Sequence, residues 1–347
     1  MATLRSDIII PEVFTPYVLE QTTLRDAFLA SGVVQPMAEL NATEGGDYIN
    51  VPFFKANLSG DFEVLTDSTS LTPGKITADK QVGVILHRGR AFESRDLAAL
   101  AAGADPMAAI AEKVASYVAH QRQKDLLSCL AGVFGTLGTT SASAAFFGLT
   151  IDGESGDTPT VLSPRHVAEA RSLLGDQGDK LAAVAMHSKV YYDLVERRAI
   201  DYVSAGDARF TPDATANPAA FGGSIAGAYG GDNSVPTYMG LRVIVSDDVQ
   251  TEGSGSSTEY ATYFFTQGAI ASGEQMGMQT ETDRDILAKS DAMSIDLHYC
   301  YHPIGGKWNV TTSNPTRAQL ATVGNWSKVY ELKNLGIVRA TNTSNFD

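Results

Sequence analysis

The chain is short of cysteine, of basic runs and of long apolar stretches, and each shortage removes a class of protein. Two cysteines in 347 residues, Cys129 and Cys300, leave no room for a disulfide-stapled scaffold. They fall in an expected helix and an expected strand, where thiols serve as small buried hydrophobes. Lys and Arg total 26 against 40 Asp and Glu, a formal net charge of −14. The one approach to a basic run, Glu196-Arg197-Arg198, is mixed, so the surface does not seek DNA, RNA or anionic lipid by charge. No apolar run reaches the roughly 18 residues of a membrane helix. Met1–Ile10 also lacks the apolar core of a signal peptide. Cytosolic synthesis is the expectation, and triplets such as Asn57-Leu58-Ser59 then carry no glycan meaning.

What is present supports a substantial core: 44% of residues are hydrophobic, and the length fits two or three domains. One long helix organises the rest, from Asp105 to about Phe134. Asp105 can cap the first turn, and Pro106 occupies the first helical position, where its missing N–H costs nothing. Met107, Ile110, Ala111, Val114, Tyr117 and Val118 recur at helical spacing, and Gly132 and Gly135 supply the stop. The apolar stripe breaks at His120–Asp125 and resumes on a rotated face at Leu126, Leu127 and Leu130. The two ends are therefore expected to face different surroundings.

Around this helix the chain reads as arms and modules. Residues 1–40 form an apolar stub, Asp7-Ile8-Ile9-Ile10-Pro11-Glu12-Val13-Phe14, and a short helical pattern to Gly32, which together cannot bury themselves. From Gly45 to about Arg90 the period becomes two, through Tyr48, Ile49, Asn50, Val51, Pro52 and Phe53, then Phe62 and Val64, and later Val82, Val84 and Leu86. This is a long β ribbon with a polar stretch, Thr66–Lys80, and a tip at Pro73-Gly74. Isolated two-stranded ribbons are marginal, so it is expected to lie across another surface, such as a second copy. Gly135–Asp157 reads as a crossing between domains. Ser163-Pro164 opens a helix, Leu181–Met186 is a buried strand and Ser188–Arg198 a second helix. Residues 205–235 are loop-dominated and rich in glycine. Tyr238–Asp247 and Tyr260–Thr266 read as partner strands across a Gly/Ser tip, Ala292–His302 as a strand, Asn314-Pro315-Thr316-Arg317 as a helix start, and Ile337-Val338 as a final strand.

Chemistry-bearing constellations are sparse. His298, Cys300 and His302 alternate along one strand and share a face, a geometry a metal could use; an ordinary mixed sheet face, with Tyr299 and Tyr301 as neighbours, is the preferred reading. Gly222-Gly223-Ser224-Ile225-Ala226 lacks the second glycine of a nucleophile elbow. Neither a dinucleotide fingerprint nor a Walker loop occurs around residues 222–231. Asp247-Asp248, or Asp283 with Asp285, could pair for acid–base work, but so acidic a chain carries solvated acids by chance. No catalytic, cofactor-binding or metal site is expected, and no cofactor.

The order of these parts resembles the major capsid proteins of tailed bacteriophages, the Hong Kong 97-type (HK97) fold. The resemblance rests on the arm with Ile10-Pro11-Glu12-Val13-Phe14, the long ribbon, the Asp-Pro-capped spine helix and the α/β module. Met239-Gly240-Leu241-Arg242-Val243-Ile244-Val245-Ser246-Asp247 and the closing Asn314-Pro315-Thr316 and Asn325-Trp326 add to it. It implies an α+β fold: an N-terminal arm (1–40), an E-loop (41–90), a P-domain with the spine helix (91–140), an α/β A-domain (141–265), and P-domain return strands with a C-terminal segment (266–347). It further implies a structural virion protein, not an enzyme. Such a protein self-assembles as hexamers and pentamers into an icosahedral shell around double-stranded DNA that it does not bind specifically. The implied partners are neighbouring copies reached by the E-loop, a portal, a decoration protein and a scaffolding protein. That scaffold is expected to be separate, since the chain begins almost at its arm. Some family members crosslink a ribbon lysine to an asparagine; Lys55, Lys75 and Lys80 lie in that element, with no motif for the partner. Assembly would take place in the host cytoplasm, with no membrane. Two rival readings are a cellular nanocompartment shell of the same fold and a cytosolic α/β enzyme.

Overall fold

The computed structural model describes residues 28, 31–41, 45–55, 62, 75–97, 106–137, 144–152, 160–204, 234–254 and 258–346. The Asp105 cap, most of the arm, the ribbon tip at Pro73-Gly74 and the glycine-rich loop around 205–233 lie outside these residues. Strands in chain order are β1 (Val34–Pro36), β2 (Tyr48–Phe54), β3 (Ala78–Val84), β4 (Leu86–Arg95), β5 (Thr150–Asp152), β6 (Leu181–Met186), β7 (Asp201–Ser204) and β8 (Ser234–Tyr238). They continue with β9 (Leu241–Val245), β10 (Thr251–Glu252), β11 (Glu259–Thr266), β12 (Ile270–Asp285), β13 (Ser290–Pro303), β14 (Gly306–Trp308), β15 (Trp326–Lys328) and β16 (Ile337–Asn342). Helices are α1 (Pro106–Phe134), α2 (Pro164–Leu173), α3 (Ser188–Glu196) and α4 (Arg317–Leu320).

Two sheets, a ribbon and a short antiparallel pair, β14 with β15, share these strands. A four-stranded sheet runs β1-β12-β13-β4, and an eight-stranded sheet runs β5-β16-β11-β6-β9-β8-β7 with β10 on β11. The ribbon is β2 with β3, paired antiparallel from Tyr48↔Val84 to Phe54↔Ala78. It is shorter than the expected Gly45–Arg90. Beyond Val84 the chain leaves it, and Leu86–Arg95 pairs with β13, burying Leu86 against the core.

The spine helix α1 is 29 residues long, about 43 Å at 1.5 Å per residue, and its halves do face different surroundings. Val114, with Met107, Ile110 and Val118, packs on Met293 and Ile295 of the four-stranded sheet. Leu126, Leu127, Leu130, Val133 and Phe134 enter the main core. Gly135 ends the helix with φ +86°, its amide donating to the Ala131 carbonyl. Gly132 is not part of the stop. It lies inside the helix, where a Cβ would collide with the Leu320 carbonyl and the Trp326 ring.

The α/β module forms where its caps and periodicity place it. At the start of α2 the Ser163 amide donates to His166 Nδ1 (3.1 Å), β6 is almost wholly buried, and the His187 ring accepts from the Lys189 amide at the start of α3. Other expectations need correction. Tyr238–Asp247 is not one strand: Met239 and Gly240 take φ +50° and +81°, a turn that folds β8 back on β9. Nor does β11 pair with β9. It lies between β6 and β16, while β9 runs parallel to β6. The final strand extends over Ile337–Asn342, buried at every position, and joins the larger sheet, so the unit expected at 141–265 draws a strand from beyond 266. The 16-residue β12 had no sequence counterpart. Its outer residues are exposed and lack both alternation and apolar content.

Candidate assembly surfaces

The two faces of β13 show how the smaller sheet is used. Met293 and Ile295 face α1. On the other face His298 stacks on His87, ring centroids 4.2 Å apart, and Cys300 and His302 are buried. That face is covered by the base of the ribbon and by Leu40, since a Cβ at Gly83 would sit 3.2 Å from Cys300 Sγ and 3.7 Å from His302 Nδ1. Burial pushes the Cys300 thiol up to about 12 and the His302 imidazole down to about 4, so both are neutral packing groups near neutral pH. Cys129 is also buried and free, its thiol pushed up by burial first and then by Asp125. Among the described residues no cluster of three or more metal-ligating side chains occurs.

Ribbon and sheet are joined by one buried amide. Gln81 donates from Nε2 to the Tyr330 hydroxyl (2.7 Å), while its Oε1 accepts from the Gly305 amide (3.0 Å) and lies 3.1 Å from His302 Nε2. Phe53 meets Tyr330 edge-on at 4.8 Å. Past this anchor the ribbon loses its core: Phe54, Phe62 and Ile76 are exposed. Lys55 pairs with Asp79 at 2.9 Å, and that contact holds the Asp79 carboxyl below its ordinary range. Lys75 and Lys80 are exposed.

The acidic pairs weighed from the sequence serve structure. Asp248 accepts from Gln123 (3.0 Å) and lies 3.2 Å from His120 Nδ1, tying α1 to the end of β9. Asp247 faces the other way, accepting from the Ser188 amide at 3.4 Å. Asp283 takes the Arg284 amide, and Asp285 takes those of Ala288 and Leu287 at the turn after β12; these amides hold the Asp285 carboxyl below its usual range. Near that turn Ile286, Leu287 and Leu97 are exposed. The serine of Gly222-Gly223-Ser224 lies outside the described residues.

The most demanding polar site went unread. Asp125, in the middle of α1, is fully buried. It accepts from the Tyr299 hydroxyl (2.6 Å), from Arg88 Nε (3.2 Å) and from Arg317 Nε. Arg317 also donates to the Gln121 carbonyl and side chain, and Arg88 to the Pro315 carbonyl and Asn314 side chain. Burial, then Asp125, pushes the Tyr299 hydroxyl far above its ordinary value. Spine helix, β4, β13 and the start of α4 are thus pinned at one carboxylate. In the sequence its only trace was the polar break His120–Asp125.

These surfaces and pins hold a frame; nothing in them converges on a reacting atom. Residues 37–336 match the model of the Gp13-like family, described as major capsid protein 13-like. The chain is 34% identical over 345 residues to the major capsid protein of Bacillus phage SPP1, covering 96% of each. In fold it is similar to the cyanophage Pam1 capsid subunit, with TM-score 0.58, 14% identity and 99% of both chains covered. It is also similar to the SrpI encapsulin of Synechococcus elongatus, with TM-score 0.53, 11% identity and 96% and 93% covered. Fold alone does not separate phage shells from encapsulin shells, whereas the family match and the SPP1 relative do. The chain belongs to the Gp13-like major capsid proteins of bacteriophages, structural subunits of the virion capsid with an HK97-like fold.

Proposed function

We propose that copies of this subunit associate as hexamers and pentamers into an icosahedral shell that encloses double-stranded DNA, assembling in the host cytoplasm. The observation that carries the reading is the ribbon: anchored at Gln81, it then presents Phe54, Phe62 and Ile76 to solvent. A two-stranded ribbon does not hold such a surface without a third element. A neighbouring copy supplies it. In this reading residues 41–90 hold the E-loop and 1–40 an arm laid on the assembly. Residues 91–140 with β12 and β13 form the P-domain, and 141–265 with β16 the A-domain.

The net charge of −14 suits a wall that DNA fills without adhering. A scaffolding protein, a portal and a decoration protein complete the proposed partners. Electron microscopy of the subunit expressed alone and with its phage's scaffolding protein tests the reading. Closed shells or six- and five-membered rings support it, and a small closed oligomer under both conditions overturns it. Nuclease-protected DNA in mature particles supports the proposed cargo; protein cargo instead favours the encapsulin-like alternative, whose fold the chain shares.

A further inference from the structure

Four arginines, Arg88, Arg90, Arg122 and Arg317, line one recess of about 90 Å³ between α1, β4 and β13. In a chain with 40 acids and 26 bases this runs against composition. Of the residues lining the recess Asp125 alone is acidic, and its oxygens are occupied by Arg88, Arg317 and Tyr299. The arginines are not equally committed. Arg88 spends its nitrogens on Asp125, Asn314, Pro315 and its neighbour's carbonyl. Arg122 donates from Nε to the Tyr301 hydroxyl and from Nη2 to Glu274, and Arg317 from Nε and Nη2. Nη1 of Arg122 and of Arg317 therefore make no hydrogen bond among the described residues. Arg90, exposed, makes none there at all and stands 6.0 Å over the Phe92 ring.

The geometry points to a carboxylate pocket, filled in the shell by an Asp or Glu side chain of a second copy of this chain. The recess has room for roughly three waters, the size of a carboxyl head. Its apolar wall of Val118, Ile295 and Leu297 suits the methylene stem behind that head, and guanidinium groups bind carboxylates by paired hydrogen bonds. Duplex DNA fits it poorly. Phosphate binding spreads cations along a groove, whereas these four line one small recess of an acidic molecule. Each neighbouring copy, by contrast, brings an excess of carboxylates.

The proposal rests on the shell reading above, and one experiment separates the two. Cryo-electron microscopy of assembled shells is expected to show an acidic side chain of a neighbouring copy within about 3 Å of Arg90 and Arg122. Arg90→Gln is expected to lower shell yield about tenfold, the effect of losing one charge-assisted hydrogen bond. It should leave the melting temperature of the unassembled subunit unchanged, and Arg90→Lys should retain most of the yield. Shells with the recess empty, or holding a phosphate or a side chain of the same copy, overturn this proposal alone, as does wild-type assembly by Arg90→Gln. If no shells form under any condition, the shell reading falls and this proposal with it.

Discussion

A carboxylate with no solvent exposure survives in a folded chain only if every charge around it is answered. Asp125 meets that condition through Arg88 and Arg317. Asp125→Asn would leave two guanidinium groups facing each other across an amide, and removing one partner of a buried ion pair costs about 3–5 kcal/mol. Denaturant unfolding of the subunit should show a loss of that size, with faster hydrogen exchange over 314–320, where the arginine contacts end. His302 makes a second residue-scale prediction. A histidine normally titrates near 6.5, and burial holds this one down to about 4. Between those values the unfolded chain binds the extra proton, so stability falls as pH drops through that window and is level above it. The full difference is about 3 kcal/mol at 1.36 kcal/mol per unit. His87 and His166 are also lowered, chiefly by burial, so the comparison of wild type with His302→Gln isolates the effect: the variant should lose about 3 kcal/mol less between pH 7 and pH 4. Neither residue was readable as a site. Asp125 finds its arginines 37 and 192 positions away, and a polar break in a helical stripe does not tell a buried ion pair from a solvated turn. His298, Cys300 and His302 were legible as one face, but what covers that face comes from the ribbon.

Elements were legible where their own residues decide them. Pro106, Ser163-Pro164 and the apolar spacing of α1 act within a turn or two of chain, so the spine helix and the α/β module follow from local chemistry. Strand order does not. The turn at Met239-Gly240 hides inside an apolar run because a methionine takes φ +50°, a conformation most side chains avoid. The outer part of β12 is held by its ladder to β13, not by side-chain burial, and pairing of that kind leaves no period in the sequence. Gly132 separates helix propensity from packing. By propensity alone Gly132→Ala would stabilise α1 by about 1 kcal/mol. Its Cβ would, however, meet the Leu320 carbonyl and the Trp326 ring, and overpacking costs about 1–3 kcal/mol. Since the Trp326 ring already donates to that carbonyl at 2.8 Å, neither neighbour can give way cheaply. Thermal unfolding should therefore show a net loss of stability; a raised melting temperature would mean that the segment around Leu320 does not bear on the helix.

At the scale of the molecule, the packing predicts a body that folds by itself and an outer ribbon that is not needed for the body's stability. Val82 and Val84 at the ribbon's base belong to the main core, and Ile49 packs with Leu40, Ile85 and Cys300. Beyond Gln81 the strands pair with each other, and the cross-strand partners Pro52 and Lys80, then Phe54 and Ala78, are exposed on one face. Replacing residues 56–74 by a short Gly-Ser turn therefore removes chain that joins these exposed ends. It should leave the far-ultraviolet spectrum per residue and the melting temperature of the unassembled subunit within a few degrees of the parent. The same variant should form no shells by electron microscopy, with or without a scaffolding protein, because the surface that a neighbour must cover is cut short. Normal shells from it would move the burden of assembly to another exposed apolar projection, such as the turn carrying Ile286 and Leu287. An unfolded variant would contradict the division itself, since it would make the outer ribbon part of the subunit's own core.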